Sequence, residues 1–321
     1  MGKSTFCDYG FVIQPFLYCL ENGIPIEWKY YSFEIDRVSK EFDFATYFLF
    51  HDYDIRQVQL PEGITVKGES IINLSPDYLR GRLTDDNDNI ITVKDEIFEV
   101  LTRVYSDRII PLFGEYSDNG ILIRPGLIDF IEQKDNPTGI YKGLISHAEK
   151  SGYFIKNSHG RVTGYKNTSG LEKYTIIIID HLRKLIPERG WQLKQTVDKM
   201  SEYMVELRNW CDYTFVPIIH TNRNLANSLQ FAGDEIYPTG DDIKDTGNLS
   251  EDVDYLFTAF NPNDDKYKLK SHFGMQLKDS KKKPFYPLMR TIHLVESRHT
   301  IFPKHFKVNM LGNLKTFEQF N

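Results

Sequence analysis

Gly2-Lys3-Ser4-Thr5 sets a glycine, a long cation and two hydroxyls side by side. These residue types handle phosphate. Glycine lets backbone N–H groups wrap the anion, lysine reaches its terminal oxygens, and a hydroxyl at a helix N-terminus ligates Mg²⁺. The four match the second half of the P-loop pattern G-x-x-x-x-G-K-[ST], although so short a match also arises by chance in a polar N-terminus. Residues 176–180 (IIIID) form an apolar run that delivers Asp180 at its end. That arrangement suits a carboxylate holding Mg²⁺ opposite a P-loop, and equally a core strand ended by a helix cap. Glu34, after Tyr31-Ser32-Phe33, is a candidate base for an attacking water; a solvated charge is the plainer reading. His220, at the tip of residues 214–219 (TFVPII), suits a γ-phosphate sensor or a simple bond to a carbonyl.

For such groups to converge, the chain must present several strand ends on one side of a sheet. Strands and helices do alternate along it, the pattern of an α/β fold with a mostly parallel sheet. Helices are predicted over residues 4–21 (with Pro15 shortening or kinking the first), 38–50, 93–105 and 195–210. The last carries Val197, Met200, Met204 and Leu207 at three- and four-residue spacing. Strands are predicted over residues 25–32, 108–113 (RIIPLF), 174–179, 214–219, 255–260 and 290–296. The run of β-branched residues at 174–179 is that of a strand buried on both faces. Residues 127–150 read as partly helical, interrupted by the turn at 136–139, and residues 152–170 read as a loop. Residues 51–89 are polar and read as an insertion.

The 321 residues are 40% apolar and 26% charged, with a formal net charge of −6. That is enough apolar material for a core without staples. A surface that grips nucleic acid everywhere would be basic, so any DNA contact has to be local, as in a ring channel. No apolar run approaches the roughly 20 residues of a membrane span, and no secretory leader opens the chain. Three cysteines without metal-ligand spacing argue for reduced thiols and a cytoplasmic protein.

In chain order the blocks are Gly2-Lys3-Ser4-Thr5, Ser32-Phe33-Glu34-Ile35, residues 176–180 and Ile219-His220-Thr221-Asn222-Arg223. Asp242-Ile243-Lys244-Asp245-Thr246-Gly247 and Glu251-Asp252-Val253-Asp254 follow. This series resembles the C-terminal RecA-like ATPase domain of DnaB-type replicative helicases, whose corresponding elements read S-L-E-M, Q-L-N-R and D-L-R-x-S-G. The resemblance spans nearly the whole chain. It implies a RecA-like P-loop NTPase core with helices flanking a mostly parallel central sheet, in one domain over residues 1–321. It implies ATP held by Gly2, Lys3, Ser4, Thr5 and Asp180, and Mg²⁺ held through Ser4 and Asp180. Glu34 is then the catalytic base, His220 the sensor, and Arg298, in Glu296-Ser297-Arg298-His299, the finger that reaches a neighbouring subunit's site.

The family places a channel-facing DNA loop at Arg223, Asn224 and the residues that follow. Lys281 and Lys282, in residues 278–283 (KDSKKK), are a second DNA candidate, although a short lysine run is also an ordinary solvated turn. Nearby Phe273, Phe285 and Tyr286 suit base stacking or core packing. The implied partners are single-stranded DNA, further copies in a ring such as a hexamer, and primase or a loader through an N-terminal collar. The implied setting is a bacterial or phage-infected cell.

Departures from the family pattern are specific. Its P-loop begins earlier, on a strand expected here to be missing together with the start of the loop and the collar. Histidine stands for glutamine at position 220, and Glu296 for the finger lysine. Two other readings therefore stand beside the helicase: a RecA-like recombination or regulatory ATPase that does not unwind, and a degenerate, non-catalytic assembly protein.

Overall fold

In the computed structural model, which describes residues 2–220, 237–243, 249–267 and 269–320, the chain opens in a long helix. This helix, α1, runs from Lys3–Asp8 through a π-helical turn at Tyr9–Ile13 to Gln14–Asn22. Pro15 lies at the start of the last segment, directly after the π-helical turn, the ladder irregularity that a residue without an N–H inside a helix requires. Two compact units follow from the contacts. Glu27–Glu132 with Leu311–Thr316 form one; Met1–Ile26, Gln133–Met310 and Phe317–Asn321 form the other.

The smaller unit is built on β1 (Ile26–Ser32) and helix α2 (Arg37–Tyr53). Trp28 and Tyr30 are fully buried. The Asp36 carboxylate caps α2 by accepting from Ser39 N at 2.8 Å, which fixes where the chain leaves β1. Residues 51–89 hold a two-stranded antiparallel pair, Gln57–Gln59 with Ile71–Asn73, and a short helix at Pro76–Leu79. Leu74 and Tyr78 there are fully buried, so this polar stretch carries apolar anchors of its own.

Next comes α3, Asp95–Val104 continued by a π turn at Tyr105–Ile109 and a last turn at Ile110–Phe113. The strand predicted over 108–113 is therefore helical. Ile109, Leu112 and Phe113 continue the buried stripe of Ile97, Leu101 and Val104, and Pro111 again sits in a first helical turn. Burial of one helical face overrides the strand preference of the Ile-Ile pair. Gly114 ends the helix at φ 91°, where a Cβ would lie 2.6 Å from the Arg124 carbonyl; only glycine fits. The hairpin β2 (Glu115–Tyr116) and β3 (Leu122–Arg124) leads to β4 (Ile128–Ile131), parallel to β1 with Trp28 opposite Ile128.

In the larger unit Asn136 caps α4 (Pro137–Glu149), its side chain accepting from Gly139 N at 2.8 Å. Residues 136–139 thus start this helix; they do not interrupt one. The expected loop at 152–170 is a hairpin, β5 (Gly152–Lys156) and β6 (Val162–Asn167). Its inward contacts centre on Phe154, which meets Tyr165 at 5.3 Å and Trp210 at 6.1 Å between ring centres. The polar turn at residues 157–160 concealed the pairing, and the outward side chains include Tyr153 and Ile155.

β7 (Tyr174–Asp180) then crosses the core with Ile177, Ile178 and Ile179 fully buried. Helix α5 (Leu193–Cys211) buries the predicted stripe of Val197, Met200, Met204 and Leu207. β8 (Thr214–Ile218) lies parallel to β7, Ile218 opposite Asp180. The rest is antiparallel: β9 (Tyr255–Phe260), β10 (Met289–Ser297) and β11 (Lys304–Leu311). No helix among the described residues is long and apolar enough to cross a membrane.

The antiparallel strands enclose a line of imidazoles. His272 Nε2 meets Thr291 Oγ1 at 3.2 Å, Thr291 Oγ1 meets His293 Nε2 at 2.9 Å, and His293 Nδ1 meets His305 Nδ1 at 2.8 Å. Burial, then the neighbouring His305 and His272, push the His293 pKa down to about 3. The folded state holds this ring neutral while the unfolded chain protonates it near its ordinary value of about 6.5. Stability from this group is full above about pH 6.5 and is lost as pH falls toward 3. Urea unfolding from pH 7 to 5 should show a decline of up to about 1.4 kcal/mol per pH unit from this one proton, and His293→Asn should flatten it. Separately, Ile178→Ala should cost about 3 kcal/mol through the cavity it leaves, seen as a lower urea midpoint at unchanged slope.

Candidate nucleotide site

Gly2, at φ 101°, turns the chain into α1, and Phe6 N closes the first turn onto Gly2 O at 2.8 Å. Lys3 begins the helix; Ser4 and Thr5, both half-buried, follow in its first turn. The N–H groups of that turn have no partner within the helix and carry its positive dipole end. The Lys3 ammonium donates to the Ile219 carbonyl at 3.1 Å and meets His220 Nδ1 at 2.7 Å. An ammonium has only donors, so His220 Nδ1 accepts and the ring carries its proton on Nε2. That makes the far edge of His220 a donor.

Asp180 ends β7, 5% exposed, and β8 runs beside it in the same sense, so Asp180 and His220 stand at the same ends of neighbouring strands. In parallel α/β sheets those are the ends that bind ligands. His181, 5% exposed, turns its ring edge-on to His220 with 4.4 Å between centres. Sequence reasoning missed His181: a histidine directly after an apolar strand and its aspartate carries no motif of its own.

Glu34 belongs to the smaller unit, exposed, two residues beyond β1. Its backbone is set on both sides. Ser32 Oγ donates to Ile35 O at 2.6 Å, and Asp36 caps α2. The Ser39 hydroxyl holds the Asp36 carboxyl below its usual range. Arg37, next in line, lies over the Tyr116 ring at 3.6 Å and pairs with Glu41. A glutamate on so short and braced a turn keeps its position.

Arg298 follows β10. Its guanidinium donates to the Glu251 carbonyl and lies 3.8 Å from the Asp254 carboxylate, which also pairs with Arg208 at 3.0 Å. Burial, then the Asp241 and Glu251 carboxylates, raise the Glu296 pKa. Where the sequence pattern leads one to expect a second cation, the fold has gathered acid.

Lys281 and Lys282 sit at the tip of a tight turn: the Asp279 carboxylate accepts from Lys281 N and Lys283 N, each at 2.8 Å, and Lys282 has φ 64°. Both side chains are exposed. Phe285 and Tyr286 beside the turn are 52% and 40% exposed, whereas Phe273 packs on His293 and His305. Arg223 and Asn224 lie outside the described residues, as do Thr221, Asn222 and residues 244–247.

No protein-family model matches the sequence, and no curated protein matches it significantly. Solved structures are similar to it. One is a DnaB-like replicative helicase described with its interactions with primase: 94% of this chain and 52% of that one align, at 10% identity and a TM-score of 0.56. Another is the ATPase domain of a second protein, with 94% of this chain and 76% of that one aligned, again at 10% identity and a TM-score of 0.56. The chain thus spans about half the length of the first of these. A likeness at this identity is one of fold alone: the chain has an α/β fold, with a parallel sheet flanked by helices, similar to the RecA-like fold of these helicase ATPase domains.

Proposed function

We propose that the chain is an ATP-hydrolysing motor domain of the DnaB-like kind, which in a ring of like subunits, a hexamer, couples hydrolysis to movement along single-stranded DNA. The observation that carries this reading is Lys3. A lysine at the N-terminus of α1, held against Ile219 O and His220 at the C-terminal end of β8, is the arrangement a terminal phosphate requires.

The donor set fits ATP with Mg²⁺. The first-turn N–H groups of α1 and the Lys3 ammonium supply positive charge for phosphate. The Ser4 hydroxyl and the Asp180 carboxylate supply hard oxygen ligands, of the kind Mg²⁺ takes. The metal's contribution is to neutralise charge on the phosphate oxygens. Glu34 orients water and takes its proton. His220 donates from Nε2 to the phosphate end and, one residue before the segment that contains Arg223 and Asn224, relays its state to DNA. Arg298 leaves its Asp254 pairing to act in a neighbour's site. Lys281 and Lys282 add exposed positive charge for the DNA backbone. Primase or a loader would be engaged through other parts of the assembly.

The test is ATP turnover with and without single-stranded DNA. Turnover should rise with DNA, and Glu34→Gln should lower kcat by about a hundredfold or more, the usual worth of a general base, while ATP still binds. Lys3→Ala should weaken ATP binding itself. Because Arg298 acts in trans, mixing Arg298→Ala and Glu34→Gln subunits should restore part of the activity that each lacks alone. Hydrolysis that ignores Glu34→Gln would overturn the assignment. Binding without hydrolysis in the unaltered protein would favour the assembly reading, which the acid around Glu296 supports.

A further inference from the structure

β10 and β11 place two imidazoles on one face of the antiparallel sheet. His293 stands directly opposite His305 in the register, beside Leu294 and Lys304, the last pair of that ladder. Their Nδ1 atoms lie 2.8 Å apart. We propose that His293 and His305 form a two-point chelate for a late divalent transition ion of tetragonal preference, Cu²⁺ or Ni²⁺, bound through both Nδ1 atoms.

Distance decides between ions. Two nitrogens each about 2.0 Å from one ion and at right angles, the cis positions of a square-planar or tetragonal site, stand about 2.8 Å from one another. In a tetrahedral site of the kind Zn²⁺ takes, with an angle of about 109°, the same two nitrogens stand about 3.3 Å apart. The spacing of this pair is the tetragonal one.

The surroundings hold His293 as a ligand has to be held. Its ring is fully buried, and its other nitrogen, Nε2, lies 2.9 Å from Thr291 Oγ1. With Nδ1 given to a metal, Nε2 carries the hydrogen and donates it to that oxygen. Such an outer contact fixes the orientation of a metal-bound imidazole and raises its basicity. The Thr291 hydroxyl then donates on to His272 Nε2, 3.2 Å away. Aromatic rings enclose the pair: Tyr237 lies 4.6 Å from His293 and 4.7 Å from His305, and Phe273 lies 4.8 Å from His305, between ring centres.

Among the described residues, no carboxylate, thiol or further imidazole nitrogen completes a group of three with these two. His305 is exposed, so the ion's remaining positions open to water. Two nitrogens and two oxygens are the mixed set that Cu²⁺ and Ni²⁺ accept in a plane. Both ligands sit on a ladder that is already formed, so binding has no loop to close. The ion ties β10 to β11 at the root of the connection that carries Arg298.

The test is Cu²⁺ binding by the whole chain without nucleotide, so its outcome is separate from that of the motor reading. Calorimetry should give one tight site, and EPR at one equivalent should show an axial spectrum with two coordinated imidazoles. His305→Ala should weaken that site at least tenfold and leave one imidazole. His305→Gln, which keeps a hydrogen-bonding group opposite His293, should do the same, separating loss of the ligand from loss of packing. Thr291→Val keeps the shape but removes the outer contact; it should weaken binding about tenfold or more, the usual loss for such partners, with both imidazoles retained. His159→Ala, at an exposed histidine of the β5–β6 hairpin, should change nothing. Equal affinity in the unaltered chain and the two His305 variants, or a bound ion without two imidazoles, would overturn the proposal and leave the pair as a hydrogen bond alone.

Discussion

The Lys3 ammonium, held between a backbone carbonyl and an imidazole nitrogen, is the contact on which the site's geometry depends. It ties the first residue of α1 to the last turn of chain after β8, and thereby aligns a helix N-terminus with the end of the sheet that carries Asp180. Both of these partners are neutral acceptors. The same contact fixes the His220 tautomer, so one interaction sets the place of the cation and the direction in which its neighbour donates.

Much of this was legible in the sequence, for identifiable reasons. Residues 176–180 announce a strand buried on both faces that ends in an aspartate, because no helix or exposed strand tolerates that run so well. The stripe of α5 is equally plain. The turn that holds Glu34 is readable from Ser32 and from Asp36 ahead of a helical pattern. Residues 108–113 misled because two adjacent isoleucines favour a strand locally, while the burial that makes them helical depends on α3 as a whole. The hairpin at 152–170 was hidden by the glycine, serine and asparagine of its turn and ends, which composition weighs equally with the inward Phe154 and Tyr165.

What could not be read is whatever depends on juxtaposition across long separations. His181 gains meaning only once β7 and β8 are side by side. Asp254 gathers Arg208 and Arg298 from α5 and from beyond β10, a convergence no spacing rule anticipates. The pairing of β8 and β9 on one side each, among the described residues, is likewise invisible in one dimension, since each strand taken alone has an ordinary apolar sequence. For the same reason the roles of these residues rest on geometry and chemistry more than on any motif, at 10% identity to structures of similar fold.

The line from His272 through Thr291 and His293 to His305 has a consequence of a different kind. His293 and His305 face each other through like nitrogens, 2.8 Å apart, so only one of the two Nδ1 atoms can carry a hydrogen. If His293 carries it there, its Nε2 must accept from Thr291, and the threonine can in turn accept from His272. If His305 carries it, His293 donates to Thr291 instead. The tautomers of the rings are therefore not independent choices. A change in the hydrogen-bonding of exposed His305 at the rim rewrites the polarity of bonds inside the sheet, with no side chain having to move.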